Sequence, residues 1–208
     1  MTSPKFIVLE GMDGAGKSSQ VASLVDWLEG RGCHVTTCRD PGATPAGDAI
    51  RAILLDRHDL QLSPTAEMLL YMAARAQLVA EVIEPALARG EWVVSDRYLL
   101  SNVVYQGHAG GLDPEAIRSV GQVATGGRLP DLAIVLDVDL TTVAARLDRP
   151  LDKLESRGDG YRQQLRKGYR REAAAAPDTI HIVDATGSPA EVAAAIRRTL
   201  AERFPELA

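Results

Sequence analysis

Four consecutive apolar residues, Phe6 to Leu9, leave no position for a solvent face and predict a short strand buried on both sides. After a glycine-rich turn the period changes. Val21, Leu24, Val25 and Leu28 recur at the three- and four-residue intervals of an amphipathic helix, which Gly30 and Gly32 end. Cys33–Arg39 reads as a second strand and Asp40-Pro41-Gly42 as a turn. Ala46 to Leu55 predicts a helix that turns Ile50, Ile53 and Leu54 inward and Arg51 elsewhere. Ser63 caps a longer helix with Pro64 in its permitted first position. That helix runs to Ala88 ahead of a stop at Gly90, and Pro85 is expected to kink or loosen its last turns. Trp92 to Ser95, Leu132 to Leu136 and Ile180 to Val183 are three further strands. Asp113-Pro114-Glu115 opens one more helix, and the capping-box pattern Ser188-Pro189-Ala190-Glu191 opens the last.

Strands that alternate with helices in this way predict an α/β fold, a five-stranded parallel sheet covered on both faces. Ligands on such sheets gather beyond the carboxyl ends of the strands. The 208 residues are read as a single domain, 1–208. A net charge of −5 with no basic stripe argues against nucleic acid as a partner. Cys33 and Cys38, five positions apart in one strand, should point to opposite faces as buried free thiols, which suits a reducing cytoplasm. The start, MTSPK, has no long apolar run behind it, so neither a signal peptide nor a membrane span is expected.

Between the first strand and first helix lie Gly11, Met12, Asp13, Gly14, Ala15, Gly16, Lys17, Ser18 and Ser19, which fit G-x-x-x-x-G-K-[ST] in the strand–loop–helix context that pattern requires. Backbone N–H groups wrap a polyphosphate where side chains are small, and the following helix directs its positive end at the anion. Lys17 supplies a point charge for the outer phosphates, and the Ser18 hydroxyl suits a magnesium ion. Asp13 is electrostatically odd there, because a carboxylate repels the ligand it lines. It must meet a cation, an arginine or a sugar hydroxyl.

Asp96-Arg97 closes the third strand opposite this loop, with the aspartate suited to magnesium and the arginine to clamping a phosphate. If the next segment is helical, Ser101 or Asn102 shares a face with Tyr105, and hydroxyl, amide and phenol together suit a base and sugar. Tyr71 and Arg75, four apart on the long helix, offer a ring and a guanidinium fork for the same purpose.

These residues resemble the thymidylate kinase family, P-loop nucleoside monophosphate kinases. The likeness rests on GMDGAGKSS, on DPGAT from Asp40, on AARAQ from Ala73, and above all on SDRYLLSNVVYQG from Ser95; PDL at Pro130 and VDAT at Val183 extend it. It implies a three-layer α/β/α P-loop NTPase fold with a mobile lid, and transfer of the γ-phosphate of ATP to dTMP with Mg2+, by a cytoplasmic homodimer. It further implies that Arg51 and Arg97 grip the acceptor phosphate, that Tyr71 stacks on thymine, and that Arg75 and Asn102 address the base edge. Tyr105 would stand where a 2′-hydroxyl would sit, Asp13 and Asp40 near the acceptor sugar and metal, and Arg146 on the adenine.

Two departures stand out. Asp40 and Ala43 replace members of the usual Glu-Pro-Gly-Gly-Thr. The variable part of the phosphate loop also lacks a basic residue, so the resemblance implies a lid that supplies one. The candidate is Arg149 to Gly160, where Arg149, Lys153 and Arg157 would line one face of a helix, Lys153 standing for the family's lid arginine. Two other readings remain open at this level: another P-loop deoxynucleoside or deoxynucleotide kinase, and a nucleotide-binding regulator with a degenerate lid.

Overall fold

The computed structural model describes residues 3–146 and 158–207. The lid candidates Arg149, Lys153 and Arg157 therefore lie outside the described residues. Strand β1 (Phe6–Gly11) is the centre of the sheet, with β2 (Val35–Arg39), β3 (Trp92–Asp96), β4 (Leu132–Asp137) and β5 (Ile180–Asp184) completing the order β2-β3-β1-β4-β5, every pairing parallel. The strand order reverses at β1. The chain runs from β1 to β2 on one side and from β3 to β4 on the other, and the phosphate loop emerges at the crevice beyond the carboxyl ends of β1 and β3.

Alternation along the strands builds two cores. Ile7 and Leu9, with Trp92 and Val94, face a cluster completed by Leu24 and Leu28 of α1 (Lys17–Glu29), Leu165 of α8 (Asp159–Ala175), and Ile196 and Leu200 of α9 (Pro189–Arg203). Phe6, Val8 and Val93 face the other way, onto Met68, Met72 and Leu78 of α3 (Pro64–Leu78), Ala86 of α4 (Glu84–Ala88), Leu99 of α5 (Leu99–Asn102) and Ile117 of α6 (Pro114–Thr125). Three layers result. Arg51 of α2 (Pro45–Leu55) and Arg146 of α7 (Leu140–Arg146) line the cavity at the carboxyl edge.

Local chemistry accounts for the element ends. Ser63 and Thr44 accept from Ala66 N and Gly47 N, and Ser188 and Glu191 complete the capping box. Second-strand residues begin pairing only at Val35, so Cys33 precedes the strand; even so, Cys33 joins the first core and Cys38 the second, on opposite faces and both free. The helix from Pro64 continues to Ala88 through a π turn at Val79–Ile83. Pro85 cannot donate and its ring crowds the preceding turn, and a widened turn just ahead of it relieves both. A second π turn, Val103–His108, extends α5.

Candidate active site

At the carboxyl edge of β1, Gly11 has φ +134° and no room for a side chain, since a Cβ would lie 2.6 Å from the Leu136 carbonyl oxygen. Only glycine lets the loop leave the sheet here. The loop ends at Gly16, φ +91°, where α1 begins with open N–H groups. Lys17 folds back over the loop, donating to the Gly11 and Met12 carbonyls at 3.2 and 3.1 Å. Burial and the nearby Arg97 charge push its pKa down. Ser18 Oγ donates to Asp96 Oδ2 at 3.3 Å, which puts a hydroxyl and a carboxylate side by side on the cavity wall. Hard oxygens of this kind fit Mg2+, which takes one or two protein ligands and fills its shell with phosphate and water. Among the described residues no group of three or more His, Cys, Asp or Glu could hold a metal ion.

The cavity above this loop measures about 660 Å³ and extends from Lys17 to Arg146 and Gly187. Beside it lies a narrower cleft of about 80 Å³, lined by Tyr71, Arg75, Ser101, Asn102 and Tyr105. Asp13, Asp40, Arg51 and Arg97 line both. The two chambers meet at a pair of arginines.

Arg97 is the hub of that junction. Its φ of +70° is unusual for a side-chain-bearing residue. Nη2 donates to Asp13 Oδ1 at 2.7 Å and to Tyr105 Oη at 3.1 Å; Nη1 donates to Ser101 Oγ at 3.0 Å and Tyr169 Oη at 3.3 Å. Asp13 thus meets an arginine. Burial opposes its ionisation, yet the Arg97 and Lys17 charges hold its carboxyl well below the usual range. Ser101 and Tyr105 share the face expected of them, while Asn102 turns toward Arg75.

Arg75 is 1% exposed. Its fork, expected to be available at a helix surface, is anchored to Asp40 Oδ2 at 2.6 Å, to Asn102 Oδ1, to the Tyr98 carbonyl and to Met72 Sδ. Asp40 is equally enclosed; burial pushes its pKa up against the pull of Arg75, and its Oδ1 has no hydrogen-bond partner. The chain of contacts continues from Asn102 to Gln106 and on to Glu67. Arg51 is only half buried and donates to the Pro41 carbonyl at 3.0 Å. Burial and the neighbouring Arg39 charge lower its pKa, as expected where cations are crowded. Arg146 lines the outer end of the larger cavity and holds the β5–α9 loop through the carbonyls of Ala185, Thr186 and Gly187.

Among the site residues that the sequence does not single out are Arg39, Gln106, Glu10 and Tyr169. Arg39 lines the large cavity beside Arg51, and Gln106 lines the cleft. Tyr169 accepts directly from Arg97, and Glu10 stands behind it, accepting from Tyr169. The one available signal was Glu10 itself, a charge closing an otherwise apolar strand.

Comparison with known proteins places this geometry. The thymidylate kinase family model matches residues 9–196. The chain belongs to the thymidylate kinase family. The thymidylate kinase of Desulforudis audaxviator is 44% identical over 193 residues, covering 92% of this chain and 87% of that protein. That of Bifidobacterium longum is 43% identical over 200 residues, covering 95% and 97%. In fold, the chain is similar to a crystal structure of the thymidylate kinase from Ehrlichia chaffeensis, with a TM-score of 0.78 at 24% identity over 95% of this chain and 99% of that one. The five-stranded parallel sheet with helices on both faces is the three-layer P-loop architecture.

Proposed function

We propose that this chain is an ATP:dTMP phosphotransferase that makes dTDP. The observation that carries the reading is the junction itself: a phosphate-loop cavity and a narrower cleft lined by Tyr71, Asn102 and Tyr105 share Arg51 and Arg97 as a common wall. Family membership and the relatives' names support the same activity. A deoxynucleoside kinase needs a carboxylate base at a sugar hydroxyl, whereas here arginines surround the place where an acceptor phosphate fits.

In this reading ATP lies along the larger cavity, its outer phosphates on the N–H groups between Gly11 and Ser19 and its adenine toward Arg146. Lys17 releases its carbonyl contacts to the β- and γ-phosphates. The acceptor enters the cleft with its base beside Tyr71, Arg75 and Asn102, its sugar against Tyr105, and its phosphate on Arg51 and Arg97. Both reacting groups are anions, so bringing them in line and neutralising them does most of the catalytic work; no covalent enzyme intermediate is needed. Ser18 and Asp96 would hold Mg2+, which supplies charge neutralisation on the donor phosphates. A homodimer in the cytoplasm completes the proposal; exposed Leu69 and Val123, on the neighbouring helices α3 and α6, support a protein–protein surface there.

The test is ATP- and Mg2+-dependent phosphorylation of dTMP, dUMP and dGMP side by side. A cleft that hydrogen-bonds the base rejects a purine by roughly ten-thousandfold, while sensing one methyl separates dTMP from dUMP by only about ten- to two-hundredfold. Equal rates on all three, or ATP binding without turnover, would end this reading.

A further inference from the structure

Glu10 is fully enclosed at the end of β1, one residue before the phosphate loop, and nothing assigned so far uses it. A carboxylate in such a place is retained only when its oxygens are satisfied. All four contacts go to the Arg97 neighbourhood. Oε1 accepts from the backbone N–H of Tyr98 at 3.0 Å and of Ser101 at 3.2 Å; Oε2 accepts from Ser101 Oγ at 2.5 Å and Tyr169 Oη at 3.1 Å.

Those contacts have two consequences. Helix α5 has no side-chain cap of its own, and Glu10 supplies one from the neighbouring strand to the N–H groups that follow Arg97. The two hydroxyls that donate to Oε2 are the same two that accept from Arg97 Nη1. Each hydroxyl has one hydrogen. Once it points at Glu10, only lone pairs remain for the guanidinium.

We propose that Glu10 and Tyr169 are positioning residues for Arg97: the buried carboxylate polarises the Ser101 and Tyr169 hydroxyls so that they hold the guanidinium at the mouth of the acceptor cleft. The inference rests on the reading that Arg97 receives the acceptor phosphate. Arg97 sits at a positive φ, with its backbone tied to the Leu9 carbonyl through N–H and to Ser95 Oγ through its own carbonyl. Its side-chain direction is therefore set by what surrounds Nη1 and Nη2, and Glu10 governs half of that shell.

The two oxygens of Glu10 make a sharp test available. In Glu10→Gln the backbone N–H donors select the amide oxygen for the Oε1 place, leaving the amide NH2 where Oε2 stood. It then donates to both hydroxyls; one of them can turn its hydrogen to the other, 3.0 Å away, and the second is left with its hydrogen toward Arg97, donor against donor. Tyr169→Phe removes one acceptor and leaves the ring in the core. With steady-state kinetics on the purified full chain, Tyr169→Phe should raise the KM for dTMP about tenfold, the scale of one hydrogen bond to a charge. Glu10→Gln should lower kcat/KM for dTMP by roughly a hundredfold. The KM for ATP should stay within about twofold in both variants. A purely structural role would lower thermal stability without separating the two substrates, and that result overturns the proposal. Should Glu10→Gln not fold, Tyr169→Phe decides alone. Arg97→Ala is the third arm: if it leaves dTMP kinetics intact, the acceptor reading fails. If it is severe while Glu10→Gln and Tyr169→Phe are silent, only the positioning role fails.

Discussion

Arg97 and Asp13 meet at 2.7 Å although one closes β3 and the other lies in the loop after β1. Their pairing settles how an acidic residue can line a phosphate site: its charge is already spoken for. Burial opposes the ionisation of Asp13, and the Arg97 and Lys17 charges outweigh that penalty. The cost is that each partner depends on the other, and the pair's pH behaviour follows directly.

Asp13 titrates below its ordinary value because Arg97 and Lys17 outweigh the burial penalty. A carboxyl with a depressed folded pKa contributes stability that is present above its unfolded pKa, near 3.8, and is lost as pH falls toward the folded value. Asp13→Asn should therefore be less stable than wild type at pH 6, and the gap should narrow steadily below about pH 4. Thermal unfolding of both proteins between pH 6 and 3 measures it; a gap that stays constant contradicts the assignment.

Lys17→Ala should lower dTDP formation by about a thousandfold or more, because among the described residues Lys17 is the ammonium that reaches the loop carbonyls where the outer phosphates would sit. The fold should survive, since removing a buried charge relieves its desolvation. Circular-dichroism melting alongside the coupled ADP assay separates the two effects.

Arg51 and Arg75 are both arginines of the cleft, but their truncations should fail differently. Arg75 is buried against Asp40, so Arg75→Ala leaves an unpaired interior carboxylate and should cost about 3–5 kcal/mol of stability. Among the described residues Arg51 donates to the Pro41 carbonyl, and it is half exposed. Arg51→Ala should keep its melting temperature within a few degrees while the KM for dTMP rises at least tenfold. Urea titration and kinetics on the two variants give the contrast.

Two backbone positions make opposite predictions. Gly11→Ala combines φ +134° with a Cβ at 2.6 Å from the Leu136 carbonyl oxygen, and should cost about 3 kcal/mol or more. Ala43 already bears a side chain at φ +64°, where the left-handed conformation costs about 1–2 kcal/mol. Ala43→Gly recovers this but loosens the unfolded chain by about 0.4–1 kcal/mol, so a gain of up to roughly 1 kcal/mol is expected. Calorimetry on both substitutions checks the signs.

The phosphate loop, the five strands and their parallel direction were legible along the chain because each depends on neighbours in sequence, whereas the order β2-β3-β1-β4-β5 was not. A run of apolar residues, a glycine that must take positive φ and a capping serine all act within a few positions. Even the Asp96-Arg97 pair could be located, as the end of a buried strand. Pro85 announced trouble in its helix, although its remedy, a π turn, lies in how the whole helix packs.

The roles around Arg97 could not be read that way. Whether Arg75 offers its fork to a ligand or spends it on Asp40 depends on an approach between residues 35 positions apart, and burial then makes the choice nearly irreversible. Glu10 and Tyr169 are 159 positions apart and acquire meaning only when β1 and α8 close over the same guanidinium. Short-range sterics and capping write the scaffold into the chain, whereas direction of charge is a property of what surrounds it, and in this protein those surroundings are assembled by folding alone.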